Sequence, residues 1–363
     1  MTRARRSRSA IGSHTIVWAA IADRRLAAEG RQLNLCSVIL MRIMSTLTAS
    51  EFPQAEISNG LVTAKLYLPD AHAGFYRSTR FDWAGTIFRL EYKGHTFFAP
   101  WFKQHDPDLR DVEYRAALGG FAAGTVSADI GPVEEFSTPV GYDEAAVGGT
   151  FIKIGVGALR KPEEQHYHWA TRYEIVDPGK RSAQTGRDSI EFVQELAANG
   201  YSYVYSKTVR LSKGKPELVL EHRLRNTGQK RIESSVYDHN FFVIDDLPSG
   251  PNFAIKVPFG ILDAKDELAV LQIRGKEIGY ARELQKDERA MVSVAGFGPT
   301  AADYDIRVEH KSGAAVRITA DRPLGRFVIC SVRPTRCPEP FIDLNVQPGQ
   351  EFTWRIAYEF SAK

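Results

Sequence analysis

The sequence predicts a large all-β antiparallel sandwich, and two observations carry that prediction. Apolar and polar residues alternate with a period of two in the longest runs, and turn-forming residues separate nearly all of those runs. In Glu351 to Phe360, the residues Phe352, Trp354, Ile356, Tyr358 and Phe360 share one face, while Glu351, Thr353, Arg355 and Glu359 share the other. A run of this kind is a half-buried strand. With 363 residues, 43% of them hydrophobic and 25% charged, the chain has ample material for a core.

Taken in order, the strands expected are Leu61 to Leu68, Thr86 to Tyr92, Phe151 to Val156 and Tyr201 to Leu211. Next comes Leu218 to Arg225, where Leu218, Leu220, His222 and Leu224 alternate with Val219, Glu221, Arg223 and Arg225. Asn226-Thr227-Gly228 then supplies turn chemistry. Tyr304 to His310, Ala314 to Ala320, Arg326 to Val332 and the terminal run complete the set. Asp188 to Asn199 reads two ways. Ile190, Val193 and Leu196 have helical spacing with Gly200 as a stop, but Phe192-Val193 also fits a strand. No internal repeat, low-complexity stretch or linker interrupts the chain after about residue 55, so residues 51–363 are expected to form one domain.

Charge is unevenly distributed. Residues 1–50 carry eight arginines against Asp23 and Glu29, a net +6, which leaves −3 of the whole-chain +3 for the remainder. That balance argues against a basic groove for nucleic acid along the body of the protein. The first fifty residues read as a disordered extension or a mis-assigned start, with Met41 or Met44 as the natural beginning. The basic start and the run Thr15 to Ala22 also sketch a signal peptide, without a clean cleavage site. Cys36, Cys330 and Cys337 show neither a disulfide framework nor metal-ligand spacing, so a reduced cytoplasmic setting is expected, or the periplasm if the leader is a signal. No apolar run approaches the ~20 residues that span a bilayer.

Two motifs offer chemistry. Glu339 stands between Pro338 and Pro340, whose fixed φ directs the carboxylate at low entropic cost. His239 lies in Tyr237-Asp238-His239-Asn240-Phe241-Phe242, where aromatic and acidic neighbours can bury the imidazole and hold it protonated. A surface acid and a satisfied core histidine are the plain alternatives. Upstream, Glu134 and Glu135 follow the turn signal Gly131-Pro132 and suit a hydroxyl-rich ligand, a cation or simply a solvated turn. His166 and His168 would share one strand face, as zinc ligands can, but no third ligand is in view, which leaves ligand-facing or edge-strand residues. Trp83, Trp101 and Trp169 are candidates to stack on a flat ligand face, or core residues.

The order of features resembles the galactose mutarotase-like (aldose 1-epimerase) superfamily: a strand ending Arg225-Asn226-Thr227-Gly228, then His239-Asn240-Phe241-Phe242, then Glu339-Pro340, then Pro348-Gly349 and a strand closing on Tyr358-Glu359-Phe360. It is good over residues 205–360, thinner over 55–200 and absent before 50. The resemblance implies an antiparallel β-supersandwich, turns Asp188 to Asn199 towards strand, and makes Glu339 the general base and His239 the general acid. It also implies a sugar-binding arginine, assigned to Arg80 with Arg77 as substitute. The family's further histidine, in a His-Gly-Gly setting, has no clean counterpart; His105 is placed suitably but sits in Gln104-His105-Asp106-Pro107.

The expected activity is interconversion of sugar anomers by ring opening, with no cofactor. The partner is a monosaccharide or sugar derivative, acted on by a monomer or homodimer without nucleic acid or membrane. A hexose-6-phosphate mutarotase using Arg77, Arg80 and Arg110 is one alternative, and a non-catalytic carbohydrate-binding sandwich is another. A polysaccharide lyase lacks its accompanying helical domain here.

Overall fold

The structure is a computed structural model that describes residues 52–102, 104–106, 125–126, 129–163, 166–262 and 268–363. These belong to one unit, Ser50–Lys363; the first fifty residues, with the expectations placed on them, lie outside the described residues. The chain begins with an antiparallel meander of β1 (Gln54–Ser58), β2 (Thr63–Tyr67), β3 (Ile87–Tyr92) and β4 (His95–Phe98). Two short strands, β5 (Gln104–His105) and β6 (Thr125–Val126), pair in parallel. After β7 (Gly131–Phe136) come β8 (Thr150–Lys153), β9 (Gly157–Arg160) and β10 (Ile175–Asp177), which form a small sheet.

The long strands follow: β11 (Lys180–Thr185), β12 (Ser189–Ala198), β13 (Tyr201–Leu211), β14 (Glu217–Asn226) and β15 (Ile232–Phe241). Shorter ones continue with β16 (Phe253–Lys256), β17 (Leu271–Arg274), β18 (Glu277–Tyr280), β19 (Arg289–Ser293) and β20 (Asp305–His310). The chain closes with β21 (Ala315–Ala320), β22 (Arg326–Val332), β23 (Arg336–Val346) and β24 (Glu351–Ser361). No α-helix occurs among the described residues, and none of their helices is long and apolar enough to cross a membrane.

Two large antiparallel sheets make the sandwich. One runs β11-β12-β13-β14-β24-β21-β20-β16-β18-β17, and the other β19-β22-β23-β15-β7. They pack face to face: Phe136 of β7 meets Tyr205 of β13 at 5.2 Å and Trp354 of β24 at 6.3 Å between ring centroids. Burying a side chain of this size contributes roughly 1.5–3 kcal/mol. Alternation decides which side chains enter this layer. In β13 every second residue is buried, from Tyr201 through Tyr203, Tyr205, Lys207 and Val209 to Leu211, so a lysine is carried into the interior.

The ambiguous run 188–199 is a strand, and turn chemistry explains why. Asn199 and Gly200 take φ of 54° and 81°, the two positive values that a two-residue hairpin turn demands. That turn pairs Ala198 with Tyr201 and zips β12 to β13 along their length.

β7 and the second half of β15 are buried on both faces. Both lie in the five-stranded sheet, with the partner sheet on one side and a satellite apolar cluster that includes Phe75, Phe81 and Phe151 on the other. Gly131 admits β7 to this position. At φ 79° it passes so close to the Ile87 backbone that a Cβ would sit 2.7 Å from the carbonyl oxygen.

Candidate active site

The outward face of the five-stranded sheet floors a cleft of about 420 Å³, into which Glu135, Tyr237, His239, Phe241, Cys337 and Glu339 project. Register brings the two central residues together. β15 and β23 are paired as far as Tyr237↔Phe341, and the isolated bridge Phe242↔Arg336 resumes the same register, which places His239 opposite Glu339. His239 Nε2 lies 3.3 Å from Glu339 Oε1, and the two residues are 6% and 8% exposed. Between those pairings Pro338 and Pro340 have no N–H to give to β15. Asn240 Nδ2 partly replaces the missing ladder by donating to the Pro338 carbonyl at 2.8 Å.

His239 stacks on Phe241 at 3.8 Å and meets the edge of Phe81 at 6.0 Å. Burial, and then the Arg80 charge, push the imidazole well below its ordinary 6.5. The sequence led us to expect a ring kept protonated by acidic neighbours; the structure overturns this. Asp238 points to the opposite face of β15, and the aromatic setting desolvates the ring, which favours the neutral imidazole. Its Nδ1 is buried without a hydrogen-bond partner.

Beside this pair lies a second cluster, buried except for the half-buried Tyr167. Arg80 Nε donates to Glu135 Oε2 at 2.8 Å and Arg80 Nη2 to the Tyr237 hydroxyl at 3.1 Å. Tyr237 donates to Glu135 at 2.5 Å, and Lys153 Nζ reaches Glu135 Oε1 at 3.2 Å and the Tyr167 hydroxyl at 2.7 Å. Burial alone would raise the Glu135 carboxyl, but Lys153 and Arg80, with the Tyr237 hydroxyl, hold it down to about 2. Trp169, 40% exposed, lies over the Arg80 guanidinium at 4.2 Å and forms part of the cleft wall with Trp101.

Other residues singled out in the sequence lie elsewhere. Glu134 is the neighbour of Glu135 on a strand rather than on a turn, so it points to the opposite face. There it pairs with Lys207 and with His222 Nε2 at 2.8 Å between the sheets. Trp83 is a core residue: its Nε1 donates to the Ser78 carbonyl, and the Arg181 guanidinium covers its ring. Arg77 is engaged by the carbonyls of His72 and Gly74. His105 stacks on Phe75 at 3.8 Å, and its desolvation lowers its pKa to about 4. His166 and His168 lie in the connection between β9 and β10, not on a strand; His168 is exposed and stacks on Trp169 without lining the cleft. Arg110 is outside the described residues.

Lys153, Tyr167, Arg289, Arg326 and Cys330 also belong to the cleft or its buried support and were not anticipated. Lys153 carried a readable signal, a lysine inside the apolar run Phe151-Ile152-Lys153-Ile154. Arg289 and Arg326 did not, because only strand order brings them to the cleft. No group of three or more His, Cys, Asp or Glu able to hold a metal occurs among the described residues.

No protein-family model matches the sequence, and no curated protein matches it significantly. Solved structures do. The Slr1438 protein of Synechocystis sp. PCC 6803 is 12% identical, with 88% of this chain and 99% of that one covered at a TM-score of 0.50. A galactose mutarotase related enzyme from Lactobacillus acidophilus is 11% identical over 85% of this chain and 99% of its own, at 0.47. An aldose epimerase homologue from C. elegans is 13% identical over 86% and 99%, at 0.44. At a TM-score of 0.50, the chain folds as the Slr1438 protein does. The likeness is one of fold, and the chemistry of the supersandwich's cleft rests on its own residues.

Proposed function

We propose that this protein is an aldose 1-epimerase-like mutarotase that opens and recloses the ring of a monosaccharide in the His239–Glu339 cleft. The observation that carries the reading is the 3.3 Å approach of Nε2 to Oε1 in a half-enclosed, aromatic-walled cleft. Ring opening moves one proton from the anomeric hydroxyl O1 to the ring oxygen O5, and both oxygens are bonded to C1. Glu339, as base, takes the O1 proton and passes it to Nε2. The imidazolium so formed, as acid, delivers it to O5 while the C1–O5 bond breaks. Rotation about C1–C2 and the reverse transfers give the other anomer. A neutral resting imidazole suits such a relay, because it has room for the proton it must carry. Acid and base each contribute about 10²–10⁴-fold. Trp169 and Trp101 are placed to flank the sugar, and Arg80, fixed by Glu135, to meet its hydroxyls.

Polarimetry of freshly dissolved α-glucose, α-galactose and their 6-phosphates tests this. The protein should speed mutarotation of at least one, and Glu339→Gln should lose at least about 10²-fold with its fold intact. Failure to accelerate any of these sugars, or full activity in Glu339→Gln, would sink the proposal.

A further inference from the structure

We propose that Cys330 and Cys337 form a reversible disulfide on the floor of the cleft, closed by a peroxide oxidant and opened by thiols. The two residues face each other in register across β22 and β23, and both side chains line the cleft. The hairpin joining the strands sets their spacing. Val332 and Thr335 exchange both backbone hydrogen bonds, at 3.0 and 3.3 Å, so alternate pairs counted out from that turn are hydrogen-bonded. Cys330 and Cys337 are such a pair, whose Cα atoms lie about 5.5 Å apart. A disulfide spans about 4.4–6.8 Å between Cα atoms, so the pair lies within bridging range, with a small adjustment of the strands to bring the Cβ atoms together.

Exposure assigns the order of events. Cys330 is half-buried and meets the oxidant, whereas Cys337 is 2% exposed, with its thiol raised by burial. The Cys330 sulfur attacks hydrogen peroxide: an S–O bond forms, the O–O bond breaks, and one water leaves. The Cys337 sulfur then attacks the Cys330 sulfenic acid: the S–S bond forms, the S–O bond breaks, and a second water leaves. Two thiols are oxidised by two electrons, and peroxide is reduced to two waters. The hairpin already holds the residues together, so the bridge closes a short loop and is readily reduced. Cys337 is two residues from Glu339 on the same face of β23, so closure stiffens the strand beside the site.

The test uses the full-length reduced protein, hydrogen peroxide, and thiol titration with peptide mapping after denaturation. Reactive thiols should fall from three to one, with Cys330 linked to Cys337, and dithiothreitol should restore all three. Cys36→Ser should keep the link and Cys330→Ser should abolish it. Three thiols surviving, Cys36 in the link, or Cys330 over-oxidised while Cys337 stays reduced would each overturn the proposal. These readouts do not depend on what the cleft binds. If the mutarotase reading also holds, the oxidised form should show a changed mutarotation rate that dithiothreitol reverses.

Discussion

Replacing Glu134 with leucine removes one carboxylate from the layer between the sheets and strands the cation it holds. Glu134 is 0% and Lys207 1% exposed; Lys207 would keep the Ala84 carbonyl at 2.8 Å and the fields of Asp82 and Asp238. Breaking a buried pair from one side costs about 3–5 kcal/mol, a large share of the roughly 5–15 kcal/mol that holds a protein folded. For a chain of this length the melting temperature should fall by roughly 4–7 °C. Removing both charges in Glu134→Leu/Lys207→Met should recover most of the loss, because no ammonium is then left buried. Urea unfolding followed by circular dichroism gives both values. Sugar binding by the folded single variant should be unchanged, since Glu134 faces away from the cleft. A single variant losing less than about 1 kcal/mol, or a double variant as unstable as the single, would refute the assignment of this pair to stability.

Asp238 gives a pH test. Burial, and then the Glu134 charge, raise its carboxyl from 3.8 to about 7. A group that binds its proton more tightly when folded favours the folded state at low pH. As pH climbs from about 4 to about 7, wild type should therefore lose a few kcal/mol of stability relative to Asp238→Asn, and the difference should then level off. A flat difference across that window counts against the buried acid. In the cleft, Trp169→Ala should raise KM several-fold with kcat and melting temperature nearly unchanged, because the ring is exposed and covers Arg80 from the solvent side. A kcat loss larger than the KM change would give Trp169 a different role.

The strands were legible because alternation and turn chemistry are local. Asn199-Gly200 even contained the answer to the helix-or-strand question. The His239 and Glu339 motifs were legible as resemblance, and strand register then put them side by side. The two glutamates of β7 were not. Gly131-Pro132 reads as a turn, and only a strand buried on both faces sends Glu134 and Glu135 to cations on opposite sides. Lys207 and Lys153 are 73 and 18 residues from those carboxylates, a separation that no local pattern records. The protonation of His239 was misjudged for a related reason: Asp238, its acidic neighbour in the motif, stands on the other side of the strand.

Neighbouring strands in a sheet are held about 4.8 Å apart by their shared backbone hydrogen bonds. Where Pro338 and Pro340 withhold those bonds, the spacing of β15 and β23 is left to side chains, among them the Asn240 amide. His239 and Glu339 therefore face each other where the two strands are least constrained by backbone bonds, while the ladders on either side keep their register.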